Sequence, residues 1–363
     1  MTDTSPNESS PSRSREGAVL STLAEVSAAH DLPSMESRLE ALTHWMMAAL
    51  APIERELRQV PAGSTEANIQ AGSAHLLAAG GKRLRPLCVI LAARLGQHDE
   101  AKVQQLAVAV ELVHNATLLH DDVVDLGDAR RGQPSVRALY GNAVSVFAGD
   151  WLLIDALRRV RAVGDADVFV HLLDVIEAMI HAEAQQLANR GQLILDERVW
   201  RKIAEGKTAA LFRWGLVAGG KMAGLTPAQI DALDRFGLHL GTAFQAIDDV
   251  LDFDGDPEKT GKALFVDLRE GKTTYPLLLA VRRDETLRAR LEELAFGDEA
   301  HADRQAQQHE VLEALKRLGA LEETRAFARD AGDSARQALE ELPPSDARAA
   351  LETVLAATIA RNA

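Results

Sequence analysis

Residues 101–125 read AKVQQLAVAVELVHNATLLHDDVVD. Val103, Leu106, Ala107, Val110, Val113 and Leu118 recur at three- and four-residue spacing, the repeat of one face of an α-helix. The run closes on three acids, Asp121, Asp122 and Asp125. A second apolar helical run, over about 227–253, closes in the same way on Asp248, Asp249 and Asp252. The two clusters lie far apart in the chain, so any site they share is built by folding.

Working outward, further stretches carry the helical repeat. Leu39, Leu42, Trp45, Met46, Leu50 and Ile53 mark one apolar face from Met35 onward. Gly80-Gly81 breaks the pattern, and Pro86 suits the first turn of a following helix over 86–95. Helices are predicted over 141–163, 166–190 and 196–222, and again from Pro276 to the C-terminus with breaks near Gly297, Gly319 and Pro343-Pro344. No alternating run long enough for a strand stands out. Composition agrees: aromatic residues make up 4% and Ala, Leu, Glu and Arg are abundant, which favours helix over sheet. The expected architecture is all-α, one domain over 34–363. Residues 1–33, rich in Ser, Pro and mixed charge, read as a disordered tail.

Composition also excludes several roles. The net charge of -14 argues against a nucleic-acid backbone as the main partner. The single cysteine, Cys88, allows no intramolecular disulfide and no Cys/His zinc site, which fits a cytoplasmic location. No stretch approaches the roughly 20 apolar residues of a membrane span, and the first residues lack the apolar core of a signal peptide.

Residues four apart on a helix lie about 40° apart around the axis. Asp121 therefore projects with Asp125, and Asp248 with Asp252, with Asp122 and Asp249 beside them. Carboxylates at a helix C-terminus repel one another and meet the negative end of the macrodipole, at about 0.3–1 kcal/mol each when exposed. A sequence that does this twice calls for a compensating cation. Hard oxygen ligands without a calcium-loop pattern point to Mg2+, held by one or two carboxylates together with substrate phosphates.

The basic residues form the complement. Lys82, Arg83 and Arg85 follow the Gly-Gly turn; Arg130 and Arg131 lie one loop beyond the first cluster; Lys207-Thr208 interrupts an apolar helix; Lys262 and Lys272 flank the loop after the second cluster. Arg and Lys are the usual phosphate binders. His114 lies two turns before Asp121 on the same face, and Gln245 shares a face with Asp248. The set suggests two anionic groups held side by side. His120, next to the acids, is expected to pack or to support them.

In the order GGKRLRP (80–86), LLHDDVVD (118–125) with RRG (130–132), YGNAVSVFAGDWLL (140–153), KTAALF (207–212), FQAIDDVLD (244–252) and GK…DLREGKTTYPLL (261–278), the chain resembles the trans-isoprenyl diphosphate synthases, or polyprenyl synthetases. The resemblance implies a helical bundle around a central cavity, the isoprenoid synthase type I fold, and a homodimer. It implies Mg2+-dependent condensation of an allylic diphosphate with isopentenyl diphosphate, and peripheral membrane contact for product release. By position, Asp121, Asp122, Asp125, Asp248, Asp249 and Asp252 would hold metal. Asp121, Asp122, Asp125, Asp248 and Lys207 would carry the chemistry. Arg130, Lys207, Thr208, Gln245 and Lys262 resemble the allylic side of the site, Lys82, Arg85, His114 and Arg131 the isopentenyl side, and Arg83 and Lys272 are further substrate-binding candidates.

Ala116 and Thr117 lie about one turn below Asp121, where short-chain members are usually bulky. Both are small here, which resembles the long-chain, octaprenyl-like synthases that make quinone side chains. The alternative is a short-chain farnesyl or geranylgeranyl synthase. A class I terpene cyclase, an HD-type phosphohydrolase read from His120-Asp121, and a catalytically silent partner subunit are the other rivals. The second DDxxD and the basic residues argue against all three. One departure stands out: Phe265 replaces a glycine usual in the family, which bears on Lys262 and Asp267.

Overall fold

The computed structural model describes residues 33–255, 264–296 and 304–361. The tail predicted for 1–33, and Lys262, fall outside the described residues except for Pro33. The expected all-α architecture holds. The helices are α1 (Pro33–Gln59), α2 (Ala67–Ala78), α3 (Leu84–Ala93), α4 (Glu100–Val124), α5 (Val136–Tyr140), α6 (Asn142–Val163), α7 (Ala166–Ala188) and α8 (Glu197–Ala204). They continue as α9 (Ala210–Met222), α10 (Pro227–Asp254), α11 (Val266–Arg269), α12 (Tyr275–Arg283), α13 (Leu287–Phe296), α14 (Arg304–Arg317), α15 (Ala320–Glu340) and α16 (Asp346–Ile359). Among the described residues the only strands are a two-residue pair, β1 (Ala129–Arg130) and β2 (Gln133–Pro134), antiparallel with Ala129 opposite Pro134.

Most boundaries follow from caps. Asp99 accepts from the amides of Ala101 and Lys102 to start α4, and Asp165 accepts from Val168 to start α7. Thr226 and Gln229 form a reciprocal capping box at α10, with Pro227 in the first turn. Gly164 ends α6 at φ 85°, in the left-handed region.

Two features depart from the apolar spacing. Helix α2 is absent from the predicted set because small residues face its partner: Gly72 is buried against Val136, Val144 and Ala148. The helix predicted over 196–222 is interrupted by a π-turn at Glu205–Ala209, which carries Lys207 and Thr208. Such turns insert one residue and re-aim side chains, often at functional sites.

The pairs with the most extensive packing are α4 with α6, α10 with α15, and α9 with α3 and α10. Small residues set the spacing. A Cβ at Gly149 would collide with His120, and one at Gly219 with the Val89 carbonyl. Ser145 Oγ of α6 donates to the Leu119 carbonyl of α4 at 2.8 Å, tying the two helices just below the first acidic cluster. The C-termini of α4 and α10 thereby present their acids on a scaffold of fully buried apolar side chains.

Candidate active site

Each acid has a distinct environment. Asp121, in the last turn of α4, faces the Lys207 ammonium at 3.4 Å. Asp122 is fully buried and accepts from Arg130 at 3.0 and 2.6 Å through Oδ1, while its Oδ2 is buried without a partner. Burial pushes the Asp122 carboxyl up, against the pull of Arg130. Asp125 caps α4 and is paired on both oxygens, by Arg190 and by Lys272, the latter at 2.8 Å. Lys272 is held charged by Asp267, Glu270 and Asp121, which outweigh its burial.

In the second cluster Asp248 is half-exposed and meets Arg361 at 2.9 Å. Asp249 is buried and accepts from the Trp200 indole, the Tyr275 amide and Gln245 Nε2, each at 2.8 Å. Its burial nonetheless pushes the carboxyl up to about 7. Asp252 is buried and accepts from the amides of Val266 and Asp267 at 3.1 and 3.3 Å. Asp249 and Asp252 thus anchor the chain that follows, while Asp121, Asp125 and Asp248 stand at the rim with cations against them.

The two clusters are brought to one rim. Lys272 follows the second cluster in sequence and bonds the first. Lys207 Nζ is shared among Glu183, Gln186 at 3.0 Å and Asp121. Thr208 Oγ1 donates to Gln245 Oε1 at 2.6 Å, and Gln245 passes the link on to Asp249.

The second basic group gathers around the α3 N-terminus. Lys82 is solvent-exposed as a residue, but its ammonium end is hemmed in by protein; that desolvation and then Arg361 lower it, and Asp248 raises it. Arg85 lies 4.7 Å over the Phe212 ring, with its Nε buried and unpartnered. Arg131, at φ 53°, also keeps a buried, unpartnered Nη1. Burial holds both guanidinium groups below their usual pKa. His114 is pushed well below its usual value by burial and then by Arg85, with Arg131 and Arg83 adding to the shift, so it stays neutral. A Cβ at Gly81 would lie 3.1 Å from Arg131 Nη2, so the glycine lets the backbone close on that guanidinium. Buried like charges with free donors are the arrangement an anion satisfies.

Arg83 departs from the expectation of a substrate contact. It is 4% exposed and turned inward, bonded to Glu54 and, at 2.6 Å, to Glu111. Although burial raises Glu111, Arg83 and His114 lower it further, to about 2. Arg83 therefore positions its neighbours Lys82 and Arg85. Ala116 is buried with its carbonyl beside Gly149 of α6, whereas Thr117 is half-buried with Oγ1 on the His114 carbonyl at 2.8 Å. Of these two, Thr117 is the one left partly accessible below Asp121.

Phe265 takes the left-handed conformation at φ 60°, where the family pattern has glycine. The aromatic ring is 3% exposed and packs edge-on against Phe253 at 5.0 Å, and its amide donates to the Asp252 carbonyl at 2.8 Å. That packing and hydrogen bond hold a conformation costly for a residue with a Cβ. His120 points to α6, its Nε2 3.3 Å from both the Val146 carbonyl and Asp150. Among the described residues no three His, Cys, Asp or Glu converge as a closed metal site.

Residues 66–315 match the sequence profile of the polyprenyl synthetases. The chain belongs to the polyprenyl synthetase family. Members of this family are prenyltransferases, and so is this chain. It is 38% identical over 280 residues to an octaprenyl diphosphate synthase of Escherichia coli, covering 76% of this chain and 85% of that one. It is 34% identical over 289 residues to a nonaprenyl diphosphate synthase of Mycobacterium tuberculosis, covering 79% and 85%. A polyprenyl synthase from Caulobacter crescentus, solved with calcium and isoprenyl diphosphate, superposes with a TM-score of 0.80 at 35% identity, over 96% of this chain and 100% of that one.

Glu183, Gln186, Arg190, Trp200 and Arg361 complete the site and were not among the predicted residues. Glu183 and Gln186 on α7 and Arg190 just past its end follow one another at three- and four-residue spacing, a polar pattern that could have flagged them. Nothing local marks Arg361.

The Arg83–Glu111 pair generates a stability test. Replacing Arg83 by Met leaves Glu111 buried without its cation and costs about 3–5 kcal/mol at pH 7. Glu111 is held below its usual 4.5, so its contribution is present above that pH and is lost as pH falls toward 2. Urea unfolding of both proteins between pH 7 and 3 is expected to show their difference narrowing as pH falls. A pH-independent gap would show that Arg83 acts through something else.

Proposed function

We propose that this chain is a Mg2+-dependent, all-trans polyprenyl diphosphate synthase that extends an allylic diphosphate with successive isopentenyl diphosphates to a long-chain product. The observation that carries this reading is the pairing of two carboxylate clusters on one rim with a separate basic pocket whose Arg85 Nε and Arg131 Nη1 are buried without partners. One phosphorylated substrate belongs at each.

Asp121, Asp125 and Asp248 are the carboxylates placed to hold the metal ions. Their oxygen chemistry fits Mg2+, and the lack of a closed three-ligand site among the described residues suits an ion completed by diphosphate oxygens and water. When bound, such ions neutralise the allylic diphosphate and ease its departure. Lys207, Lys272 and Arg130, with Thr208 and Gln245, orient that diphosphate, and Lys262 is assigned to the same side by its place in the motif. Lys82, Arg85, His114 and Arg131 hold isopentenyl diphosphate, with neutral His114 as a hydrogen-bond donor. Departure leaves an allylic cation, and the apolar interior below Asp121 keeps water from it. The second double bond attacks, and the proton then lost goes to the released diphosphate.

We assign residues 34–363 to one domain and the protein to the cytoplasm, with peripheral membrane contact for release of an apolar product. Among the described residues no helix is long and apolar enough to cross a membrane. The long-chain product is favoured by the small Thr117 and by the octaprenyl and nonaprenyl synthases among the relatives. We also propose a homodimer. Val170, Leu173, Ile180 and Leu187 form an exposed apolar stripe on α7, beside exposed Phe147 and Ile154 on α6. A stripe of this kind marks an association surface.

Incubation with Mg2+, an allylic starter and labelled isopentenyl diphosphate tests the reaction. Asp121→Ala or Asp248→Ala is expected to lower turnover at least about 100-fold through lost charge stabilisation; near-normal rates would refute the metal role. Thr117→Phe is expected to shorten the product, read by chromatography, and an unchanged distribution would remove Thr117 from the tail's path. Sedimentation is expected to give a dimer that Ile180→Glu converts to monomer. A wild-type monomer would rule the dimer out.

A further inference from the structure

Glu111, in the middle of α4, is a buried carboxylate beside the basic pocket. Arg83 donates to its Oε1 at 2.6 Å and Asn115 Nδ2 at 3.3 Å. Arg83 does not need Glu111 for charge balance. Glu54 already accepts from Arg83 Nε and, at 3.3 Å, from Nη2. The trio therefore joins one cation to two carboxylates and leaves a surplus of negative charge. That surplus acts on the pocket: burial lowers the pKa of Arg85 and of Arg131, and Glu111 is the strongest charge opposing it at both. Each of those arginines keeps a buried donor without a partner, so Glu111 tempers their charge without occupying those donors.

Successive extension gives this surplus a task. In each round the allylic diphosphate departs, so the diphosphate that remains on the lengthened chain is the one held by Lys82, Arg85 and Arg131. The next round needs that same diphosphate at the acidic rim. The basic pocket must therefore bind a diphosphate and then give it up. Guanidinium groups with buried free donors hold phosphate tightly, because charge-assisted hydrogen bonds strengthen away from water. A fixed carboxylate acting on the same groups repels that anion and weakens the grip while leaving the donors in place.

We propose that Glu111 is a built-in counter-charge that limits the affinity of the basic pocket for a diphosphate, so that the growing chain passes to the acidic rim for its next extension. The inference rests on the synthase reading above. Glu111→Gln is nearly isosteric and still accepts from Arg83, so it removes the charge and keeps the shape. The test measures binding of inorganic pyrophosphate by calorimetry, without metal, to full-length wild type, Glu111→Gln and Glu54→Gln. Glu111→Gln is expected to bind at least about 10-fold more tightly than wild type. Glu54→Gln, which removes a partly exposed carboxylate, is expected to change binding by less than about threefold. A residue that served packing alone would weaken binding when replaced, so the sign of the change decides. With Mg2+, one allylic starter and labelled isopentenyl diphosphate, Glu111→Gln is expected to lower kcat and the KM for isopentenyl diphosphate together. Should Glu111→Gln unfold in buffer, recovery of folded protein by pyrophosphate would support the inference and no recovery would overturn it. Unchanged or weaker pyrophosphate binding by folded Glu111→Gln, or equal tightening by Glu54→Gln, would overturn the inference alone. No incorporation of label by wild type would overturn the synthase reading and this inference with it.

Discussion

Concentrated negative charge at the ends of two helices is the constraint on which the rest of the molecule depends. Asp121, Asp122 and Asp125 crowd the C-terminus of α4, and Asp248, Asp249 and Asp252 that of α10, each where the macrodipole already disfavours an anion. The protein answers in two ways. The inward acids are absorbed into the scaffold: Asp122 by Arg130, Asp249 by three donors, Asp252 by backbone amides. The rim acids are met by long cationic side chains from distant elements, Lys207, Arg190, Lys272 and Arg361. Asp125 and Arg361 are themselves largely buried, each with 6% side-chain exposure, so removing one partner of these pairs leaves a charge poorly compensated.

The basic side obeys the opposite logic. Arg83 is fully paired by Glu54 and Glu111 and serves as a buttress, while Arg85 and Arg131 are brought close to it and left with free donors. Holding several guanidinium groups together in a partly buried place is unfavourable unless an anion arrives. Glu111 makes the arrangement tolerable in the meantime: it faces Arg83, Arg85 and Arg131 at once. The acidic half is thus answered by cations the chain itself supplies, while the basic half keeps donors free.

Much of this is legible in the sequence, and the reason differs from element to element. Helices α4, α7 and α10 announce themselves because their buried faces recur at helical spacing and end in caps or charge. Helix α2 does not, because its apolar burial is confined to Leu76 and Leu77 in the last turns and the rest of its buried face is Gly72 and Ser73. The π-turn at Glu205–Ala209 is invisible for a different reason: one added residue leaves the flanking apolar repeats in place, and only the interruption by Lys207-Thr208 marks the spot. Both acidic clusters and the Gly-Gly basic block are readable, since charge in an apolar setting demands an explanation. What each residue pairs with is tertiary information. Arg83 reads like Lys82 and Arg85, yet its partner Glu111, a lone carboxylate within VAVELV, was itself a signal that some nearby cation must turn inward.

Phe265 shows how far a family pattern carries. Glycine is usual there because the loop after the second cluster needs a positive φ, and the structure keeps that φ with a phenylalanine. The strain is of order 1–3 kcal/mol for such a residue. It is offset by burial of the ring against Phe253 and by the amide bond to the Asp252 carbonyl. The conformation that the glycine serves is therefore preserved by packing, and Asp267 still reaches Asp252 through its amide. The constraint acts on the backbone at this position and not on the residue type. For the same reason the loop's substitution does not detach Lys272 from Asp125: the geometry that joins the two clusters is set by hydrogen bonds to Asp252, one turn after Asp248.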